Sequence, residues 1–161
     1  MPVKLTDLKP GDAAPDFSMP SSGGGTVSMS DFAGKYLVLY FSPNDNTPGC
    51  TTEALDFTEN RPAFDALNAE IIGVSRDSVK KHDNFIAKKE LMISLGADLD
   101  GRATEDYGVW VEKSMYGKTY MGIQRATFLI GPDGKIVDIW PKVRVKGHVD
   151  AVLERLHEHA G

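Results

Sequence analysis

The chain has 161 residues and one cysteine, Cys50, and that scarcity excludes more than any single motif does. A lone thiol cannot close an internal disulfide, so nothing in the sequence speaks for a secreted, disulfide-framed protein. Long apolar stretches are also missing, with none approaching the roughly 20 residues that a bilayer-crossing helix needs. The first residues, Met1 to Phe17, are interrupted by Pro2, Pro10, Gly11 and Pro15 and hold no apolar segment of the signal-peptide kind. The expected location is therefore cytoplasmic, with no membrane partner. Positive charge is in short supply too: 18 Lys and Arg face 23 Asp and Glu, a formal net charge of -5. Such a surface repels phosphate backbones, and nucleic acid is not expected as a partner. What is left is an ordinary globular composition, 41% hydrophobic and 25% charged. Its length suits one domain, residues 1–161, able to bury a core without staples.

Hydrophobic patterning gives the order of elements. Leu5 to Gly34 is rich in Gly, Pro and Ser, including Gly23-Gly24-Gly25, and reads as a short hairpin or loop leading into the domain. Tyr36 to Phe41 and Glu70 to Ser75 are unbroken apolar runs of the kind that fill strands buried on both faces. Between them Cys50 to Ala69 is rich in helix formers, which makes a βαβ unit with a right-handed crossover. Pro62 falls inside this helix and predicts a kink or break near Asn60, because it removes one hydrogen bond and crowds the preceding turn. Ser78 to Glu90 reads as a helix with Val79, Phe85 and Ile86 inward, and Ser94 to Ala97 as a short strand. Thr127 to Ile130 and Lys135 to Trp140 form a hairpin across Gly131-Pro132-Asp133-Gly134. A last helix, His148 to His159, sets Val149, Val152, Leu153 and Leu156 on one face. The sum is an α/β chain with a central mixed sheet flanked by helices, in an order that suits a thioredoxin-like fold.

The chemistry concentrates in Pro43-Asn44-Asp45-Asn46-Thr47-Pro48-Gly49-Cys50, which follows the first buried strand and opens the long helix. A cysteine is ordinarily a small buried hydrophobe. In a Pro/Gly loop at a helix start, however, its sulfur meets unpaired backbone N–H groups and the positive end of the dipole, both of which favour thiolate over thiol. An ordinary cysteine is only about 3% ionised at pH 7, so this placement decides reactivity. Thr47, three residues earlier, either caps the helix or reaches the sulfur with its hydroxyl and meets a bound oxygen there, and the two roles can coexist. Pro43 and Pro48 limit the loop's backbone choices.

From Pro43 to Cys50 the chain matches the peroxiredoxin motif P-x-x-x-T-x-x-C. Asp45 to Glu53 resembles the bacterioferritin comigratory protein (PrxQ) subfamily, as do Ile72-Gly73-Val74-Ser75, Lys113-Ser114-Met115-Tyr116-Gly117, Arg125 to Ile130 and Val143 to His148. The likeness spans nearly the whole chain. It implies reduction of hydrogen peroxide and alkyl hydroperoxides without metal or organic cofactor, with Cys50 as nucleophile and Thr47 and Arg125 at the two supporting positions. Chemistry asks for the same types. Breaking O–O needs a thiolate, a hydroxyl such as Thr47 to hold the peroxide, and donors for the developing charge, here Arg125 and the N–H groups around Gly49. Pro43 and Gly49 are the expected substrate-binding positions.

Members of the subfamily that carry a resolving cysteine place it where this chain has Leu55 or Ile86. Their replacement implies a one-cysteine cycle, in which an external thiol (thioredoxin, glutaredoxin or a small molecule) reduces the sulfenic acid, in a monomer or weak homodimer. Glu53 reads as a carboxylate stabilising the first helical turn. His157 and His159 lack further ligands and predict no metal site. Lys142, Arg144 and Lys146 alternate along a segment that reads as a solvated face. Two other readings stand beside the peroxidase: a redox-inactive thioredoxin-fold binding or holdase protein, and a disulfide oxidoreductase. The latter wants Cys-x-x-Cys, and Thr47 stands where its first cysteine would be.

Overall fold

In the computed structural model, which describes residues 4–160, the polypeptide first makes a small antiparallel hairpin from β1 (Ser18–Pro20) and β2 (Thr26–Ser28). Its turn uses Gly23, Gly24 and Gly25 at φ 79°, 90° and 82°, a region closed to most side chains. The main sheet follows, from β3 (Tyr36–Phe41), β4 (Ala69–Ser75), β5 (Ser94–Ala97), β8 (Ala126–Ile130) and β9 (Ile136–Trp140). Their spatial order is β5-β4-β3-β8-β9. β3, β4 and β5 run parallel, while β8 lies antiparallel to both β3 and β9, so the sheet is mixed as expected. A separate hairpin, β6 (Trp110–Met115) with β7 (Lys118–Ile123), stands beside it.

Strand alternation divides the core. Leu37, Leu39 and Phe41 of β3 point to one face with Tyr107, Phe128 and Phe17. Val38 and Tyr40 point to the other, where α1 (Pro48–Ala66), α2 (Val79–Lys89) and α4 (His148–Ala160) contribute Phe57, Phe64, Phe85, Val152 and Leu156. The short α3 (Arg102–Asp106) closes the first face through Ala103. No helix among the described residues is long and apolar enough to cross a membrane.

Two expectations need correction. The break near Asn60 does not occur: α1 is a single helix through Pro62. Phe57 and Phe64, on either side of the proline, are both fully buried in one cluster with Tyr40, and their packing offsets the roughly 3 kcal/mol that an interior proline costs. α1 also starts earlier than the helix formers suggested, with Pro48 in the first position, where a missing N–H removes no bond. In α2, Phe85 is buried and the half-buried Ile86 packs against the core, as expected, while Val79 is half-buried and the unforeseen inward residue is His82.

Candidate functional site

β3 ends at Phe41 and delivers Ser42 and the loop Pro43 to Thr47, in which Asn46 takes a left-handed conformation at φ 62°. Thr47 is the last extended residue before α1, and Pro48, Gly49 and Cys50 are its first three helical residues. The Thr51 N–H bonds back to the Thr47 carbonyl at 2.8 Å, but among the described residues the Gly49 and Cys50 N–H groups have no partner. Two free donors and the positive end of a 19-residue helix therefore converge on a cysteine only 2% exposed.

The sulfur has two side-chain donors. Arg125 Nη2 lies 3.3 Å from Sγ, and the Ser42 hydroxyl donates to Sγ from the end of β3. Thr47 is not one of them: its hydroxyl donates to the Asn44 carbonyl at 3.1 Å, which corrects the expectation that it reaches the sulfur. That bond occupies the Thr47 proton and leaves the oxygen lone pairs free to accept. Pro43 lies half-buried beside Ser42. Gly49 has a specific reason to be glycine, since a Cβ there would sit 3.0 Å from Arg125 Nη2. The absent side chain lets the guanidinium reach the first turn of the helix.

Arg125 immediately precedes β8, and its fork spans two acceptors, with Nη2 on Cys50 and Nη1 on Glu53 Oε1 at 2.7 Å. Glu53 is thus not a helix-capping carboxylate, as its sequence position suggested, but a fully buried partner of Arg125. Its other oxygen, Oε2, has no hydrogen-bond partner among the described residues. Burial pushes the Glu53 carboxyl up from 4.5 to about 7, against the opposing pull of Arg125. Burial alone would lower the pKa of Arg125, but the charges of Glu53 and Cys50 outweigh it and raise the net value.

The raised Glu53 pKa predicts how stability depends on pH. Between 4.5 and about 7 the unfolded chain has released a proton that the folded chain still binds. The contribution of this group is therefore complete below 4.5 and lost as pH rises through about 7. Its upper bound is on the order of 3 kcal/mol. Glu53→Gln cannot titrate and is expected to gain stability relative to the parent across that window, as read by denaturant unfolding at several pH values. A difference that stayed constant with pH would mean that Glu53 titrates as an ordinary carboxylate.

Further polar groups surround this centre. Asp45, in the loop before Cys50, pairs with buried His82 of α2, Oδ2 to Nδ1 at 2.5 Å, while His82 Nε2 bonds the Gly96 carbonyl at 3.0 Å. Asp77 accepts from the Asp45 N–H at 2.6 Å, from the Ser75 hydroxyl at 2.9 Å and from Lys81 Nζ at 2.9 Å. Asp45, Asp77 and His82 are the one grouping among the described residues with the spacing to hold a metal ion. Their donor atoms are already engaged with each other, with backbone and with the Lys81 ammonium. Partial burial and then Arg125 lower the pKa of Lys113 in β6, and the Cys50 charge opposes them. His148 accepts or donates at Thr127 Oγ1, 2.8 Å away, and burial followed by Arg125 pushes it down to about 4, so it stays neutral near pH 7. Of the two histidines considered for a metal, His159 instead meets the Tyr36 hydroxyl through Nδ1 at 2.8 Å.

Comparison with known proteins shows the family of the chain. The model of the AhpC/TSA family matches residues 10–139. Peroxiredoxin Bcp of Xanthomonas campestris pv. campestris is 50% identical over 145 residues, covering 90% of this chain and 91% of that protein. Peroxiredoxin Bcp of Bacillus subtilis is 47% identical over 148 residues, covering 92% and 94%. Among solved structures, Xanthomonas campestris peroxiredoxin Q superposes with a TM-score of 0.88 at 49% identity, covering 96% of this chain and 98% of that one. Its bacterioferritin comigratory protein has also been solved in trapped intermediate and ligand complexes bearing on alkyl peroxide reduction, with a TM-score of 0.88 at 48% identity over 96% and 98% of the two chains. Peroxiredoxin Q of that organism has been solved as two different cysteine-to-serine variants, so it carries at least two cysteines where this chain carries one.

Proposed function

The chain belongs to the AhpC/TSA family, and from that membership we propose that it is a thiol peroxidase of the peroxiredoxin kind, reducing hydrogen peroxide and alkyl hydroperoxides at Cys50. One observation carries the reading: the Cys50 sulfur sits at the start of α1 beside two unpaired amides, with Arg125 Nη2 at 3.3 Å. Each of these donors favours the thiolate. The thiolate attacks the terminal peroxide oxygen along the O–O axis. The S–O bond forms as the O–O bond breaks, sulfur becomes a sulfenic acid, and the departing alkoxide takes a proton to leave as alcohol, or as water from hydrogen peroxide. Arg125 and the Gly49 and Cys50 amides are suited to stabilise the charge moving onto the leaving oxygen. The Thr47 lone pairs are suited to accept the peroxide O–H, while Pro43 shapes the wall of the same loop. A redox-inactive scaffold has no observation in its favour where a sulfur, a guanidinium and free amides converge.

Reduction then depends on a thiol from outside, because no second cysteine exists in the chain. One external thiol condenses with the sulfenic acid, releasing water and leaving a mixed disulfide; a second thiol releases Cys50 as the free thiol. Thioredoxin, glutaredoxin and small-molecule thiols all supply this chemistry. Leu55 of α1 is 40% exposed and Ile86 packs against the core, so neither position offers sulfur for an internal step. The test is intact-mass measurement after one equivalent of peroxide. The protein is expected to gain one oxygen, to convert to a mixed disulfide when a small thiol is added, and to gain two oxygens under excess peroxide alone. Peroxide consumption with Cys50 remaining a free, unmodified thiol at every stage would overturn the cycle.

A further inference from the structure

We propose that Ser42 is a catalytic residue of this site, a hydroxyl donor that supports the Cys50 sulfur in its anionic, attacking form. The proposal rests on Cys50 being the reacting nucleophile and adds to it a residue outside the P-x-x-x-T-x-x-C motif. Ser42 is the residue directly after β3, 7% exposed, and its own N–H bonds the Val74 carbonyl of β4 at 2.9 Å. The sheet therefore fixes its Cα, and among the described residues the Ser42 hydroxyl has one partner, Cys50 Sγ. The other two candidate donors are shared or spent. Arg125 divides its fork between Sγ and the buried Glu53, and Thr47 gives its proton to the Asn44 carbonyl. Among the described residues, Ser42 is the one uncharged side chain whose proton is directed solely at the sulfur.

A hydroxyl bonded to an anion is held about twice as strongly as one bonded to a neutral acceptor. Ser42 therefore stabilises the thiolate relative to the thiol before the reaction, and relative to the sulfenic sulfur after it. It keeps its own proton throughout; the thiol proton leaves to solvent when Cys50 ionises. The same bond makes each thiolate somewhat less nucleophilic, since nucleophilicity falls with basicity with a coefficient of about 0.4–0.5. Losing the bond removes this support where protons compete for the sulfur, while each remaining thiolate becomes more reactive. The net expectation is a rate about threefold lower on the acid side and as much as threefold higher at the alkaline plateau.

Ser42→Thr and Ser42→Val form a matched pair, alike in shape and differing in the hydroxyl, so any packing defect is common to both. The second-order rate of peroxide reaction is measured from acid to alkaline pH for both variants, the parent and Cys50→Ser, with thermal unfolding as a check on the fold. Ser42→Thr is expected to follow the shape of the parent profile. Ser42→Val is expected to react about threefold more slowly than Ser42→Thr on the acid side and faster at the alkaline plateau, so that the two profiles cross. Coincident profiles for the two variants, or a loss in Ser42→Val by one constant factor at every pH, overturn the role of Ser42. Turnover surviving in Cys50→Ser brings down the peroxidase reading itself, so the two failures are separately visible.

Discussion

Cys50→Ser is expected to reduce peroxide consumption to the uncatalysed rate while the protein stays folded. An alcohol does not ionise to a useful extent near neutral pH, and no base contacts this position to activate it; the surrounding groups are donors, Arg125 Nη2, the Ser42 hydroxyl and two amide N–H groups. The same donors make the substitution mild for the fold. A serine hydroxyl at this buried place meets hydrogen-bond partners at once, so the change leaves no orphaned polar group, and Tm is expected to move by no more than about 4 °C. A peroxide-consumption assay and thermal unfolding read the two halves of the prediction. Turnover persisting at a substantial fraction of the parent rate in a folded variant would remove Cys50 from the chemistry.

The same residues show why this site was readable in part. Tyr36 to Phe41 is apolar without interruption because β3 lies at the centre of the sheet, between β4 and β8, and such a run is visible without any tertiary information. Cys50 was legible because its reactivity comes from local geometry, a helix start after a core strand. Arg125 was legible through family likeness and its place before the apolar run of β8. Its partner was not. A glutamate three residues after Cys50, near the helix start, looks like a capping group, and only the arrival of a guanidinium 72 residues away turns Glu53 into a buried counter-ion. Ser42 was passed over for a similar reason, since a serine before a proline in a loop gives no local sign of pointing at the sulfur. The pairing of Asp45 with His82 joins residues 37 apart in sequence, and a histidine amid the polar residues of α2 does not announce itself as core.

Elements were missed on the same logic. β6 and β7 have little burial on either face, so their sequences carry no period of two, and what makes them strands is mutual pairing from Trp110↔Ile123 to Met115↔Lys118. α3 has five residues, too few for a 3.6-residue pattern to register. Pro62, read as a kink or a break, makes no break. A local rule with a real cost was outweighed by the burial of Phe57 and Phe64, an outcome visible only once the strands beneath them are in place.

Arg125→Ala is expected to slow the reaction of Cys50 with peroxide by on the order of 10²–10³-fold, because it removes a charge-assisted donor from both the thiolate and the departing oxygen. Stability has a different logic. Glu53 loses its one hydrogen-bond partner and both lowering influences on its pKa, so burial alone drives the carboxyl further up and keeps it protonated near neutral pH. The buried charge removes itself, which limits the damage that breaking a buried ion pair usually does. Arg125→Lys keeps a charge but not the fork that reaches Cys50 and Glu53 together, and an intermediate rate is expected. Adding Glu53→Gln to Arg125→Ala separates the two roles. The double variant is expected to recover stability at alkaline pH, where the Glu53 proton would otherwise be lost, and to recover none of the rate. A stopped-flow measurement in which Arg125→Ala reacted as fast as the parent at every pH would reduce Arg125 to a structural partner of Glu53 and leave the helix start as the main source of thiolate.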